Sequence, residues 1–152
     1  MAKFTAEQAV TAAALQQLTH DWAHELDVNN GLNISGLVTD DCTYNVGGTV
    51  RQGRAAIEKF YKDRLERLSA QPTGVPTQRH ALSNLRVTYR SADEVSITFT
   101  LIYFTTAGMA AGVAQPDPAA VADVRMDCRR GQDAEWRIAM FDSGQPFRRV
   151  AP

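Results

Sequence analysis

Ala119-Ala120-Val121-Ala122-Asp123-Val124-Arg125-Met126-Asp127-Cys128-Arg129-Arg130 alternates small or apolar side chains with charged ones. Successive side chains of a strand point to opposite faces, so Ala122, Val124, Met126 and Cys128 share one face and Asp123, Arg125, Asp127 and Arg129 the other. The first face is buried, and the second is wet or at an interface. This segment therefore reads as one strand of an antiparallel sheet covered on a single side.

The neighbouring segments agree with it. Gln78 to Arg90, Glu94 to Thr106 and Glu135 to Asp142 also have strand character, separated by Ser91-Ala92-Asp93, Gly131-Gln132-Asp133 and a longer loop containing Gly108, Gly112, Pro116 and Pro118. Long strands joined this way form an antiparallel meander. Upstream the period changes. Thr5 and Gln8 have the spacing of a capping box, and Ala6 to Leu26 follows without proline or glycine, carrying Val10, Ala14, Leu18, Trp22 and Leu26. A two-turn helix is expected over Leu32 to Val38, then a short strand from Cys42 to Val46 and a tight turn at Gly47-Gly48. Arg54 to Ser69 places Ile57, Phe60, Tyr61, Leu65 and Leu68 on one apolar stripe, which predicts a second long helix. Helices first and sheet afterwards is an α+β order, with the helices on one side of the sheet.

A chain of 152 residues has the size of one domain, so residues 1–152 are expected to share one core and one site. With 16 basic and 17 acidic residues, net charge −1, it lacks the electrostatic footprint of a nucleic-acid binder. No apolar run approaches the roughly 20 residues of a membrane helix. Met1 to Val10 does not resemble a secretory leader, so a cytoplasmic location is expected. Cys42 and Cys128 have no C-x-x-C partner and read as small buried hydrophobes. There is no G-x-G-x-x-G, P-loop, G-x-S-x-G or H-E-x-x-H pattern. If the chain is an enzyme, acid–base chemistry without a cofactor is what remains.

Histidine suits proton transfer near neutral pH, and three are present. His80 opens the first long strand, where period two would place His80, Leu82 and Asn84 on one face, looking into a pocket if that face is concave. The structural alternative is a strand-end histidine bonded to a loop carbonyl. Asp27 follows the first helix, where the helix dipole disfavours a carboxylate. It is either a base or orienter for His80, or a loop cap. His20, His24 and Asp27 share a helical face and could in principle hold zinc, but no further ligand is specified and a site without metal is expected. His24 is one turn from Asp27 and within reach of the same cavity. Tyr44 could donate a hydrogen bond to a substrate oxygen. Tyr61, Phe99, Tyr103 and Phe104 either line an aromatic-friendly cavity or fill the core.

Taken together, several features resemble the SnoaL-like branch of the nuclear-transport-factor-2-like superfamily: a long helix ending Trp22-Ala23-x-x-Leu26-Asp27, Asp40-Asp41 before a β run, and Gly53 before a helix with Ile57 and Phe60. The others are Arg79-His80 with Asn84-Leu85-x-Val87, and the closing Glu135-Trp136-Arg137-Ile138. The resemblance implies a cone-shaped fold, with a strongly curved antiparallel or mixed sheet wrapped by three helices around one pocket, as a homodimer through the sheet's outer face. Within the branch the chain is most similar to the scytalone-dehydratase-like group, whose acid–base aspartate and histidine match Asp27 and His80. Tyr44 falls near that group's substrate-orienting tyrosine. The group's second histidine has no counterpart here, where the following strand reads Val95, Ile97, Thr98, Phe99 and Thr100. The implied activity is that of a cofactor-independent lyase or isomerase on an apolar, oxygenated small molecule. Tyr44, Asn84, His24, Tyr61 and Phe99 would be its substrate-binding residues. The alternatives are a binding or accessory protein, and a hydrolase or cyclase using the same pocket.

Overall fold

The computed structural model describes residues 4–109 and 117–148. Its elements are α1 (Ala6–Asn29), a single 3-10 turn (Ile34–Leu37), β1 (Val38–Val46), β2 (Thr49–Gln52), α2 (Arg54–Ser69), β3 (Gln78–Tyr89), β4 (Glu94–Thr105), β5 (Ala120–Arg130) and β6 (Trp136–Arg148). The expected loop positions Gly112 and Pro116 lie outside the described residues.

The α1 helix starts where the capping box places it. The Gln8 amide donates to Thr5 Oγ1 at 3.2 Å, and the Thr5 amide donates to Gln8 Oε1 at 3.0 Å. Two donors that the first turn leaves unpaired are thereby satisfied. The helix runs three residues past the expected Leu26 and stops at Asn30, whose left-handed backbone (φ 57°) returns its N–H to the Glu25 carbonyl. Its buried stripe is Leu15, Leu18, Thr19, Trp22, Ala23 and Leu26, while Val10 is exposed. The expected third helix is not formed. Leu32–Val38 yields only the four-residue 3-10 turn, and Val38 already belongs to β1. The seven-residue window holds Gly36 and two β-branched residues, too little to sustain two α turns.

All six strands form one sheet in the order β2-β1-β6-β5-β4-β3. The meander is present in β3-β4-β5-β6, but the sheet is mixed, because β1 pairs with β6 in parallel. The expected alternation of β5 holds: Ala122, Val124, Met126 and Cys128 are buried, and Asp123, Arg125 and Arg129 are exposed. On the outer face Arg125 grips Asp127 through two bonds of 3.0 and 2.8 Å, and Ser96 on β4 donates to the same carboxylate. Both cysteines are buried and free, and burial pushes their thiols up to about 12.

Register shifts bend the ribbon. In β3 the pairing passes from Ser83↔Thr100 to Arg86↔Thr98, three residues against two, so one residue is extra. Asn84 lies in this bulge with φ 57°, a conformation that asparagine tolerates better than most residues. A second shift in β1 falls between Val38 and Thr43. Both α1 and α2 pack on the inner face, α1 against β3 and β6 and α2 against β1. The core lies between, around Trp22, Tyr44, Ile57, Ile97, Met126 and Phe141. No helix among the described residues is long and apolar enough to cross a membrane.

Candidate active site

Between the helices and the inner face of the sheet is a cavity of about 200 Å³. Its lining is mostly apolar and aromatic. The ring of Phe141 stacks on Tyr44 with centroids 4.5 Å apart and sits 5.1 Å from Trp22, while Phe60 and Tyr61 enter from α2 and Leu101 and Ala122 from the sheet. Such a surface binds an apolar body, and the few polar groups set into it decide orientation.

The first of these is His80. Its strand begins beside the last turn of α1, and two contacts lock the junction: Gln78 Nε2 donates to the Leu26 carbonyl at 2.5 Å, and the His80 amide donates to Asp27 Oδ2 at 3.0 Å. The other carboxylate oxygen, Asp27 Oδ1, is 2.6 Å from His80 Nδ1. A carboxylate can only accept, so Nδ1 carries a proton, and in the neutral imidazole Nε2 then holds the lone pair. Because Nδ1 is taken by Asp27, the ring edge bearing Nε2 is what His80 presents to the cavity it lines. Both side chains are largely shielded, at 11% and 13% exposure. The carboxylate at the negative end of α1 has its reason here: two hydrogen bonds offset an unfavourable dipole.

The second group is a chain of aromatic donors. Trp22 Nε1 donates to Tyr44 Oη at 2.9 Å, and Tyr44 Oη lies 2.7 Å from Tyr61 Oη. Burial, with Tyr61 as a neighbour, raises the Tyr44 phenol well above its usual range, and burial pushes Tyr61 up to about 12. Both are therefore neutral donors at physiological pH. Their protons can be counted. The two hydroxyls hold two hydrogens, one of which spans the Tyr44–Tyr61 bond, and the indole N–H only donates. One phenolic hydrogen is left, and no acceptor among the described residues takes it. It is available to an oxygen in the cavity. Gly31 keeps this arrangement tight: a Cβ there would collide with the Tyr61 ring, and its φ of +83° suits glycine.

The third group is Arg64, whose Nη2 donates to Gln78 Oε1 at 2.8 Å, with Tyr103 Oη donating to the same oxygen at 3.2 Å. The ring of Tyr103 also packs 4.8 Å from that of His80.

Of the residues expected from the sequence, the structure brings Asp27, His80, Tyr44 and Tyr61 together. Three others are corrected. Asn84 is exposed and does not line the cavity, because the bulge at its position reverses the parity of β3 and turns Leu85, Val87 and Tyr89 inward instead. His24 is exposed on α1, as is His20, and neither lines the cavity; the inward stripe runs through Trp22, Ala23 and Leu26. Phe99 is buried against Trp22, with centroids 6.2 Å apart, in the core rather than in the lining. Arg64 and Gln78 were not anticipated. The signals existed: Arg64 continues the stripe of Ile57, Phe60 and Tyr61 at helical spacing, and Gln78 shares strand parity with His80.

A model of the SnoaL-like domain family matches residues 7–142. No curated protein matches the sequence. Among solved structures, one from Catenulispora acidiphila in complex with S-DNPA is similar over 91% of this chain and 95% of its own, at 22% identity and TM-score 0.73. ActVI-ORFA from Streptomyces coelicolor is similar over 95% of this chain and 99% of its own, at 17% identity and TM-score 0.76. A protein from Novosphingobium aromaticivorans named as a candidate scytalone dehydratase is similar over 95% of this chain and 89% of its own, at 16% identity and TM-score 0.74. At these identities the likeness concerns the fold.

Proposed function

The chain belongs to the SnoaL-like domain family, and on that premise we propose that it is a cofactor-independent lyase of the dehydratase kind, or an isomerase, acting on an apolar, oxygenated small molecule of aromatic or polyketide-like character. The observation that carries this reading is the 2.6 Å contact between Asp27 Oδ1 and His80 Nδ1 beside an apolar cavity. A base fixed in one tautomer, a proton donor for an oxygen and a water-poor lining are the parts that proton abstraction next to a carbonyl requires.

The geometry supports the following roles. Nε2 of His80 removes a proton from the carbon beside a carbonyl, and the spare phenolic hydrogen of the Tyr44–Tyr61 pair holds the oxygen on which negative charge develops. The Asp27 carboxylate stabilises the resulting imidazolium and keeps the ring from turning. The imidazolium then returns its proton. Delivered to a hydroxyl leaving group, the proton departs as water and the result is dehydration; delivered to another carbon, the result is isomerisation. Because one imidazole performs both transfers, they take place on the same face of the substrate. The relatives bear on the choice of substrate class, since one was crystallised with the small molecule S-DNPA and another is named as a candidate scytalone dehydratase. The cavity is open space rather than a plug of the chain's own aromatic rings, which supports catalysis over an accessory role.

The test is a panel of phenolic and polyketide-like β-hydroxy ketones followed by ultraviolet absorbance, with native protein and His80→Ala side by side. The expected outcome is turnover of at least one member by the native protein and a loss of about 10²- to 10⁴-fold in His80→Ala. Turnover that survives that substitution removes His80 as the base.

A further inference from the structure

We propose that the cavity selects ligands bearing a carboxylate, and that Arg64 binds it. This inference rests on the reading of His80 as the base and adds what the substrate must carry.

Arg64 lies in α2 on the face of Ile57, Phe60 and Tyr61, and it lines the cavity. A half-buried guanidinium among aromatic rings is costly unless an anion or several acceptors satisfy it. Elsewhere in the protein arginines meet carboxylates: Arg54 with Asp40, Arg125 with Asp127, Arg129 with Asp41 and Arg137 with Asp133. Among the described residues no carboxylate lies within ion-pair distance of Arg64, and none lines the cavity. Among the described residues its one protein hydrogen bond goes to a neutral amide oxygen, Gln78 Oε1.

That amide is itself held firmly. Its Nε2 donates to the Leu26 carbonyl, and its oxygen also accepts from Tyr103. Gln78 is buried and its oxygen has both acceptor sites occupied, so it orients Arg64 without neutralising it. A guanidinium has five N–H donors in a planar fork suited to a carboxylate, and Gln78 takes only one. The cavity thus presents a single fixed positive charge with donors to spare. Gln78 and His80 are two residues apart on one strand face, about 7 Å. The preferred ligand is an aromatic or otherwise apolar acid whose carboxylate lies on the order of that distance from the carbon deprotonated by His80.

The test is calorimetric binding of 1-naphthylacetate and its neutral analogue 1-naphthylacetamide to the native protein, Arg64→Met, Arg64→Lys and His80→Ala. The native protein is expected to bind the acid about ten- to a hundredfold more tightly than the amide. Arg64→Met should bring the acid down to the level of the amide while leaving the amide unchanged, and Arg64→Lys should restore part of the preference. In the native protein the preference should shrink with added salt, a measurement that needs no variant. Equal binding of the two compounds, failure of the acid to bind, or a preference that survives Arg64→Met would overturn the proposal. His80→Ala separates the two readings: it should keep the acid preference while losing turnover. Full turnover by His80→Ala with the preference intact refutes the base and leaves Arg64 standing.

Discussion

Replacing Asp27 with asparagine tests the site most directly, because it exchanges one oxygen for an NH₂ group at nearly constant volume. The carboxylate now accepts from His80 Nδ1 at 2.6 Å and from the His80 amide at 3.0 Å. Asparagine has one oxygen for these two donors. If that oxygen stays on the backbone amide, the NH₂ group faces Nδ1, which must then become the acceptor, and the ring proton moves to Nε2. The cavity would face an imidazole with no lone pair to offer. On the scale known for the same substitution in a serine-protease triad, the rate should fall about 10⁴-fold. Loss of a hydrogen bond to a charged group should cost about 1.5–3 kcal/mol of stability. Nitrogen–proton correlation spectra of the imidazole read the tautomer without any substrate: the native protein should show its proton on Nδ1, and Asp27→Asn should show it on Nε2. A native His80 protonated at Nε2, or an Asp27→Asn protein with unchanged tautomer and unchanged rate, would refute the reasoning.

Gly31→Ala should destabilise by at least about 1 kcal/mol from its left-handed backbone alone, and the new Cβ should push the Tyr61 ring away from Tyr44, weakening ligand binding; thermal melts and calorimetry read the two effects. Asn84→Val should cost about 1–2 kcal/mol in the same melts while Asn84→Gly costs little, and neither should alter ligand affinity, since Asn84 is exposed outside the cavity. In alkali the sign follows from the buried phenols. Tyr61 is pushed up to about 12 from an ordinary 10.0, and Tyr44 is raised as well, so the unfolded chain releases these protons first. The stability they contribute is fully present below pH 10 and should be lost as the pH rises from about 10 to about 12. Denaturant midpoints should fall across that window, and a flat profile would contradict the buried pair.

Much of the fold could be read along the chain, because it depended on local period. The alternation of β5, the apolar stripe of α2 and the capping box at Thr5 each rest on neighbours within a few residues, and each is present in the structure. Asp27 was conspicuous for a related reason, since a carboxylate at a helix C-terminus is locally unfavourable and calls for a partner. Where the reading slipped, the deciding atoms were distant. Asn84 shared parity with His80 until a bulge against β4 inserted one residue and reversed the strand. The short third helix shrank to a 3-10 turn before β1, and β1 found its partner, parallel, in β6, some hundred residues away.

The sequence by itself determined the two long helices, the long strands of the meander and the buried face of β5, since these follow from spacing along one chain. The tertiary structure decided which of those groups meet. The Nδ1 of His80 finds Asp27, Trp22 finds Tyr44, and Arg64 finds Gln78. Hydrogen bonds are made over about 3 Å, and only the packing of α1 and α2 on a bulged, mixed sheet brings residues so far apart in the chain to that distance.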